Sequence, residues 1–135
     1  MTKMITVYKG NLRTEITHTQ SGTKITTDAP TDNHGKGESF SPTDLFASSL
    51  GSCMLTIMGI TAQAHGFNID GTTMTTEKVM AANPRRVAEI IIDFKFPEGS
   101  NYSDKEKRLI EAAAKSCPVG NSLSAELKKT INFNW

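Results

Sequence analysis

The sequence predicts an α+β fold with antiparallel sheets around one long, buried central helix. Threonine, a β-branched residue, is concentrated in residues 14–27 and 72–76, on either side of a long uncharged segment. Turns join neighbouring strand segments, which favours hairpins over the alternating strand and helix order of a doubly wound fold. With 135 residues, the chain is long enough for one core and too short for two functional domains. We therefore expect residues 1–135 to form a single domain.

The first strands are predicted from alternation and turns. Residues 4–9 alternate weakly, and the even positions of residues 12–18 form one face that includes Leu12 and Ile16. Gln20-Ser21-Gly22 is a turn signal, and residues 23–27 return as a second strand, so this part of the chain should contain a hairpin. Residues 30–40 form a polar loop.

A long helix should follow this loop. Ser41-Pro42-Thr43-Asp44 combines an N-cap, a first-turn proline and a capping box, and we expect the helix to end near His65, before Gly66. The segment is apolar or small almost all round, which predicts burial on most sides. A chain of 135 residues has little left to cover such a helix, so its composition favours packing against a second copy.

A membrane span is the alternative for this segment. Residues 45–64 carry no charge and are long enough to cross a bilayer. Their serines and threonines, and the lack of flanking Lys or Arg clusters, favour a core helix without membrane contact.

The second half of the chain reads as two strands, two helices and a last strand. Residues 68–80 are expected to be a strand, and residues 88–96 show the clearest alternation in the sequence. A second capping box at Ser103 and Glu106 opens a helix, which Cys117-Pro118 interrupts. We expect a short helix to about residue 129, and a strand at residues 130–135.

Composition excludes several function classes. The net charge of +1 provides no field for nucleic acid or an anionic membrane. Two cysteines rule out a disulfide-rich secreted scaffold and a four-cysteine zinc site. His65 does not share a helix face with Cys53, so we expect no metal site. The N-terminal residues do not resemble a secretory signal, which predicts a cytoplasmic protein with reduced thiols.

The two thiols are the candidates for chemistry. Cys53 lies in the middle of the long helix, where it is either an inert core residue or a reactive thiol that needs a cation from elsewhere. Cys117 directly precedes Pro118, so it is either a simple junction residue or a helix cap whose N–H groups favour the thiolate.

Three segments of the sequence, two of which contain these cysteines, also resemble a known protein family. The run SPTDLFASSLGSCM, the segment PRRVAEIIIDFKFPEG and the later SCPVGNSL resemble, in this order, the pattern of the OsmC/Ohr family. The resemblance covers nearly the whole chain and is closer to the broad OsmC-like branch. It implies an OsmC-like α+β fold in an intertwined homodimer.

The resemblance also implies a function. Family members reduce organic hydroperoxides with two thiols and without a metal or organic cofactor, in defence against oxidative stress. On this chain, Cys53 would be the peroxidatic thiol and Cys117 the resolving thiol. A small dithiol or a lipoyl-bearing protein would then reduce the disulfide.

Two positions depart from the family pattern. Thr43 stands where the peroxidases usually place a glutamate that orients an arginine, and the nearby Asp44 is explained by the capping box. Arg13 is the candidate for that arginine, with Lys36 and the pair Arg85-Arg86 as other cations.

These departures are also consistent with a different function. In this alternative, the chain is an OsmC-like protein that binds a small apolar ligand without peroxidase activity. A purely structural dimer module is a third possibility.

Overall fold

A computed structural model describes all residues, 1–135, as two compact units. The first unit, Met1–Phe46, contains a three-stranded antiparallel sheet in the order β1-β2-β3. Its strands are β1 (Met4–Gly10), β2 (Arg13–His18) and β3 (Lys24–Asp28). The predicted hairpin is therefore present, and β1 adds a further strand to it.

The second unit, Ala47–Trp135, contains a sheet in the order β4-β5-β6 and the helices. Helix α1 begins in the first unit and continues into this one. The helices are α1 (Pro42–Ala64), α2 (Asp104–Lys115) and α3 (Pro118–Ser122). The strands are β4 (Thr73–Ala81), β5 (Arg86–Lys95) and β6 (Lys128–Asn134). The predicted α+β class is confirmed.

Both predicted capping boxes are present. At the start of α1, the Ser41 backbone N–H donates to Asp44 Oδ2 (2.8 Å), and the Asp44 N–H donates to Ser41 Oγ (3.0 Å). At α2, Ser103 and Glu106 exchange the equivalent two bonds. These bonds satisfy N–H groups that would otherwise lack a partner at the helix start, so the sequence could locate both starts closely.

Three local predictions differ from the structure. The strand expected from residue 68 begins at Thr73, because Asn68 caps a turn and Gly71 adopts a positive φ of 84°. The short helix expected to reach residue 129 ends at Ser122, because residues from Lys128 onward pair with β5. Strand β6 runs parallel to β5 rather than antiparallel, since the segment containing α2 and α3 forms a long crossover between them.

One face of α1 packs in the core of the second unit. The buried residues recur at helical spacing and comprise Ala47, Leu50, Gly51, Met54, Met58 and Ala62. They contact a core that includes Ile92, Phe94 and Ile110. The expected burial on most sides is not found within one chain, where Ile60 on the other face is 57% exposed.

Helix α1 also has the length and apolar composition that a membrane span requires. Its most apolar window has a mean hydropathy of 1.6. The core helix of a soluble protein meets the same criterion, so this property is weak support for a membrane location.

Candidate thiol site

The two cysteines lie together in the second unit. Cys53 is in the middle of α1, and Cys117 lies between α2 and α3. Both are free thiols, and they are close enough for a hydrogen bond between them to affect the ionisation of Cys117. The fold therefore joins two thiols that the sequence separates.

The two thiols differ in exposure. Cys117 is completely buried, whereas Cys53 is partly exposed beside the buried Met54. Cys53 is therefore the thiol that a molecule from solvent reaches first. Sequence reasoning expected Cys53 to be the buried thiol, but burial follows the face of α1 that packs on the sheet, and Cys53 lies at the edge of that face.

The predicted cap at Cys117 is present. Its Sγ accepts a hydrogen bond from the Gly120 N–H (3.2 Å) at the start of α3. A Cβ at Gly120 would lie 3.2 Å from this sulfur, which is tighter than nine in ten real Cβ contacts. Glycine therefore allows the peptide N–H to approach the thiol.

The net effect on Cys117 is opposite to the prediction. Burial raises the pKa of the Cys117 thiol, and the hydrogen bond and charge of Cys53 raise it further. The Gly120 N–H and the positive charge of Lys129 lower this pKa, but burial outweighs them. The helix cap therefore reduces the desolvation effect without overcoming it.

The candidate cation Arg13 lies on β2 in the first unit. Its guanidinium group forms ion pairs with Glu38 and with Asp28 (3.6 Å to Oδ2). The hydrogen bond and charge of Glu38 raise the pKa of Arg13. Carboxylates from the loop and from β3 thus hold this arginine, and the sequence motifs indicated neither of them.

The other predicted cations lie in loops or at a strand end. Lys36 is in the loop before α1, and Arg85 directly precedes β5. Arg86, the first residue of β5, donates to the carbonyl oxygen of Pro84 (3.1 Å).

One cation near the thiols was missed from the sequence. Lys129, the second residue of β6, donates to the carbonyl oxygen of Gly120 (3.3 Å). Lys129 lies in no recognisable sequence motif, and the sequence predicted it at the end of a helix. Only the parallel pairing of β6 with β5 brings it to residues 116–120, which join α2 to the first turn of α3 and are called the Cys117 loop.

A cleft borders this loop. It has a volume of about 330 Å³ and is lined by Met54, Lys115, Gly120, Lys129 and Ile131, among others. The histidines are not part of this lining. No group of three or more His, Cys, Asp or Glu side chains is placed to hold a metal ion.

Residues 35–132 match the protein family described as OsmC-like protein. The chain belongs to the OsmC-like protein family. A relative from Methanocaldococcus jannaschii, an uncharacterised protein, is 31% identical over 102 residues, which are 72% of this chain and 53% of that protein. The present chain therefore spans about half the length of this relative.

Solved structures show the same OsmC-like fold. A Psychrobacter arcticus 273-4 protein, provisionally described as an osmotic stress induced and detoxification response protein, is 46% identical. Its TM-score is 0.93, and the match covers 99% of this chain and 96% of that one. An organic hydroperoxide resistance protein OsmC from Legionella pneumophila is 17% identical, with a TM-score of 0.77 and coverage of 100% and 97%.

Proposed function

We propose that this OsmC-like protein is a thiol-dependent peroxidase that reduces organic hydroperoxides through Cys53 and Cys117. The observation that carries the proposal is the proximity of a partly exposed thiol to a fully buried one. The Legionella pneumophila protein of similar fold is described as an organic hydroperoxide resistance protein, which supports this substrate class.

Cys53 is the proposed peroxidatic residue because it is the accessible thiol. Its thiolate attacks the outer oxygen of the hydroperoxide, forming an S–O bond as the O–O bond breaks. The alkoxide takes up a proton and leaves as an alcohol, and Cys53 becomes a sulfenic acid. Leu50 and Met54 are apolar neighbours on the helix, which favours an alkyl or lipid hydroperoxide over hydrogen peroxide.

Cys117 is the proposed resolving residue. Burial raises its pKa, so it remains a protonated thiol until the sulfenic acid forms beside it. Its sulfur then attacks the sulfur of Cys53, the S–O bond breaks, and the hydroxide leaves as water. An external dithiol, either a small molecule or a lipoyl group on a protein, reduces the resulting disulfide and becomes a disulfide itself.

Arg13 remains the proposed activator of Cys53. Glu38 and Asp28 hold its guanidinium group, which supplies the carboxylate support that Thr43 cannot provide. We further propose a cytoplasmic homodimer that acts in oxidative stress defence, because a reducing compartment keeps both thiols available and the exposed face of α1 needs cover.

The proposal is tested with one equivalent of cumene hydroperoxide and disulfide mapping by mass spectrometry. We expect a Cys53–Cys117 bond within one chain in the wild type. Cys53→Ser should lose turnover with dithiothreitol, whereas Cys117→Ser should consume about one equivalent and accumulate a sulfenic acid that dimedone traps.

Two results would contradict the proposal. One is full peroxidase turnover by Cys53→Ser. The other is a wild-type protein that keeps both thiols free after peroxide treatment, which would favour the ligand-binding alternative.

A further inference from the structure

The Cys117 loop is held by a lysine outside every recognised motif. Lys129 on β6 donates to the carbonyl oxygen of Gly120 (3.3 Å), and the N–H of the same residue donates to Cys117 Sγ (3.2 Å). Gly120 therefore accepts a hydrogen bond from the Lys129 ammonium group and donates one to the Cys117 thiol. Lys129 forms no ion pair of its own within 4.0 Å, so no carboxylate neutralises its charge.

We propose that Lys129 is a positioning residue of the thiol site, which holds the Gly120 N–H against the Cys117 sulfur and supplies positive charge that favours the Cys117 thiolate. The inference rests on the proposed function and deepens it. Lys129 does not touch the reacting sulfur and acts through Gly120 and its electric field.

Lys129 would act in the step that reduces the Cys53–Cys117 disulfide. When an external thiolate attacks the sulfur of Cys53 in the disulfide, the S–S bond breaks and its electron pair passes to Cys117. A mixed disulfide forms on Cys53, and Cys117 leaves as a thiolate in a buried position, where a negative charge is disfavoured. The Gly120 N–H and the charge of Lys129 stabilise this leaving group. Thiolates that are stabilised leave faster in disulfide exchange.

Few other groups face this thiol. Cys53 approaches from α1 and disfavours the Cys117 thiolate, and Lys115 at the end of α2 lines the same cleft as Lys129. Lys128 is a matched control because neighbouring strand residues point to opposite faces, and it pairs with Glu89 (3.1 Å). The experiments must therefore distinguish the effect of Lys129 on the Cys117 thiol from the effects of Lys115 and Lys128.

The first experiment titrates Cys117 directly. In a Cys53→Ser background, the ultraviolet absorbance of the thiolate is followed against pH, and the curve of a Cys53→Ser, Cys117→Ser variant is subtracted. Lys129→Met should raise the Cys117 midpoint by about 0.2–0.7 pH unit, which is the size expected for one exposed charge pair. Lys129→Arg should restore most of the midpoint, and Lys128→Met should leave it unchanged.

The salt dependence of the Cys117 midpoint distinguishes an electrostatic effect of Lys129 from a purely structural one. An electrostatic shift should shrink towards ~1 M salt, where the Debye length is about 3 Å. A midpoint unaffected by Lys129→Met, an equal shift in Lys128→Met, or a shift seen only in Lys115→Met would overturn the proposal. A shift that does not respond to salt would overturn the proposed effect of the Lys129 charge.

The second experiment measures resolution in the two-cysteine protein. After one equivalent of cumene hydroperoxide, disulfide formation at pH ~7 should slow by about 1.3- to 2.5-fold in Lys129→Met, since a lower thiolate fraction is partly offset by higher nucleophilicity. Raising the pH should remove the difference. If no variant forms a disulfide while the titration shift persists, the proposed peroxidase function fails and the role of Lys129 stands.

Discussion

Arg13 holds its guanidinium group between two carboxylates of different exposure. Asp28 is 1% exposed, and its Oδ1 has no hydrogen-bond partner, while its Oδ2 accepts the Glu38 N–H (3.0 Å) and faces Arg13. A buried carboxylate needs a nearby cation, so Arg13 has a structural reason to be present beside any catalytic one.

A pair of substitutions separates these two roles. Arg13→Met should lower the free energy of unfolding, measured by urea denaturation, because it leaves Asp28 buried without its cation. Adding Asp28→Asn should restore stability by removing the buried charge. If Arg13 activates Cys53, the stable double variant should still turn over cumene hydroperoxide about 10-fold or more slowly than wild type.

The control for this pair is Arg13→Lys, which keeps a positive charge. It should retain most of the stability and part of the turnover. Full turnover by the double variant would show that Arg13 only stabilises the first unit.

Some residues of the candidate site could be predicted from the sequence, and others could not. Cys53 and Cys117 could be selected from their motifs, because each motif lies within one continuous segment. Lys129 and Glu38 could not, because each reaches its partner only through pairing between distant segments.

At the scale of secondary structure elements, α1 is the most predictable part of the chain. Its capping box and Gly66 identify both ends from local signals alone. Helix α3 and strand β6 were less predictable, because the boundary between them depends on which residues pair with β5. Local propensity cannot decide that competition.

The packing of α1 on the second sheet gives a prediction for Gly51. A Cβ at this position would overlap Met74 Sδ on β4 and would lie 3.3 Å from Ile92 Cδ1, so the Met74 side chain must move to admit it. Gly51→Ala should reduce the free energy of unfolding by about 1 kcal/mol, since overpacking outweighs the better helix propensity of alanine.

A double-mutant cycle with Met74→Ala checks this cause. The cost of Gly51→Ala in urea denaturation should disappear in the Met74→Ala background, where space opens for the new methyl group. An equal cost in both backgrounds would assign the destabilisation to another contact.

At the scale of the whole molecule, the exposed face of α1 carries two large apolar side chains. Ile60 is 57% and Phe46 40% exposed, and the other exposed residues of this helix include Ser52, Thr56 and Gln63. Large apolar side chains on one helix face are typical of interaction surfaces. The proposed homodimer would cover this face with a second copy.

Sedimentation velocity tests the proposed dimer. The wild type should sediment at about twice the 14.7 kDa mass of one chain. Ile60→Asp should weaken self-association by more than about 10-fold, because a charge would replace a buried apolar side chain. Arg108→Asp on the exposed surface of α2 is the control and should have little effect.

Two outcomes would argue against this dimer. A wild type that stays monomeric at micromolar concentration would leave the α1 face without the proposed cover. Equal weakening by both aspartate substitutions would point to net charge rather than to this helix face.

Local signals in the sequence were enough to predict the α+β class, the position of α1, both capping boxes and the two cysteines as candidates for chemistry. Each of these depends on signals within a few turns of helix or one strand. Three features became visible only in the folded chain: the thiols lie close together, Cys117 rather than Cys53 is the buried one, and Lys129 reaches the Cys117 loop. These features depend on burial and on contacts between distant segments, and such contacts form only when α1, the crossover and β6 pack together.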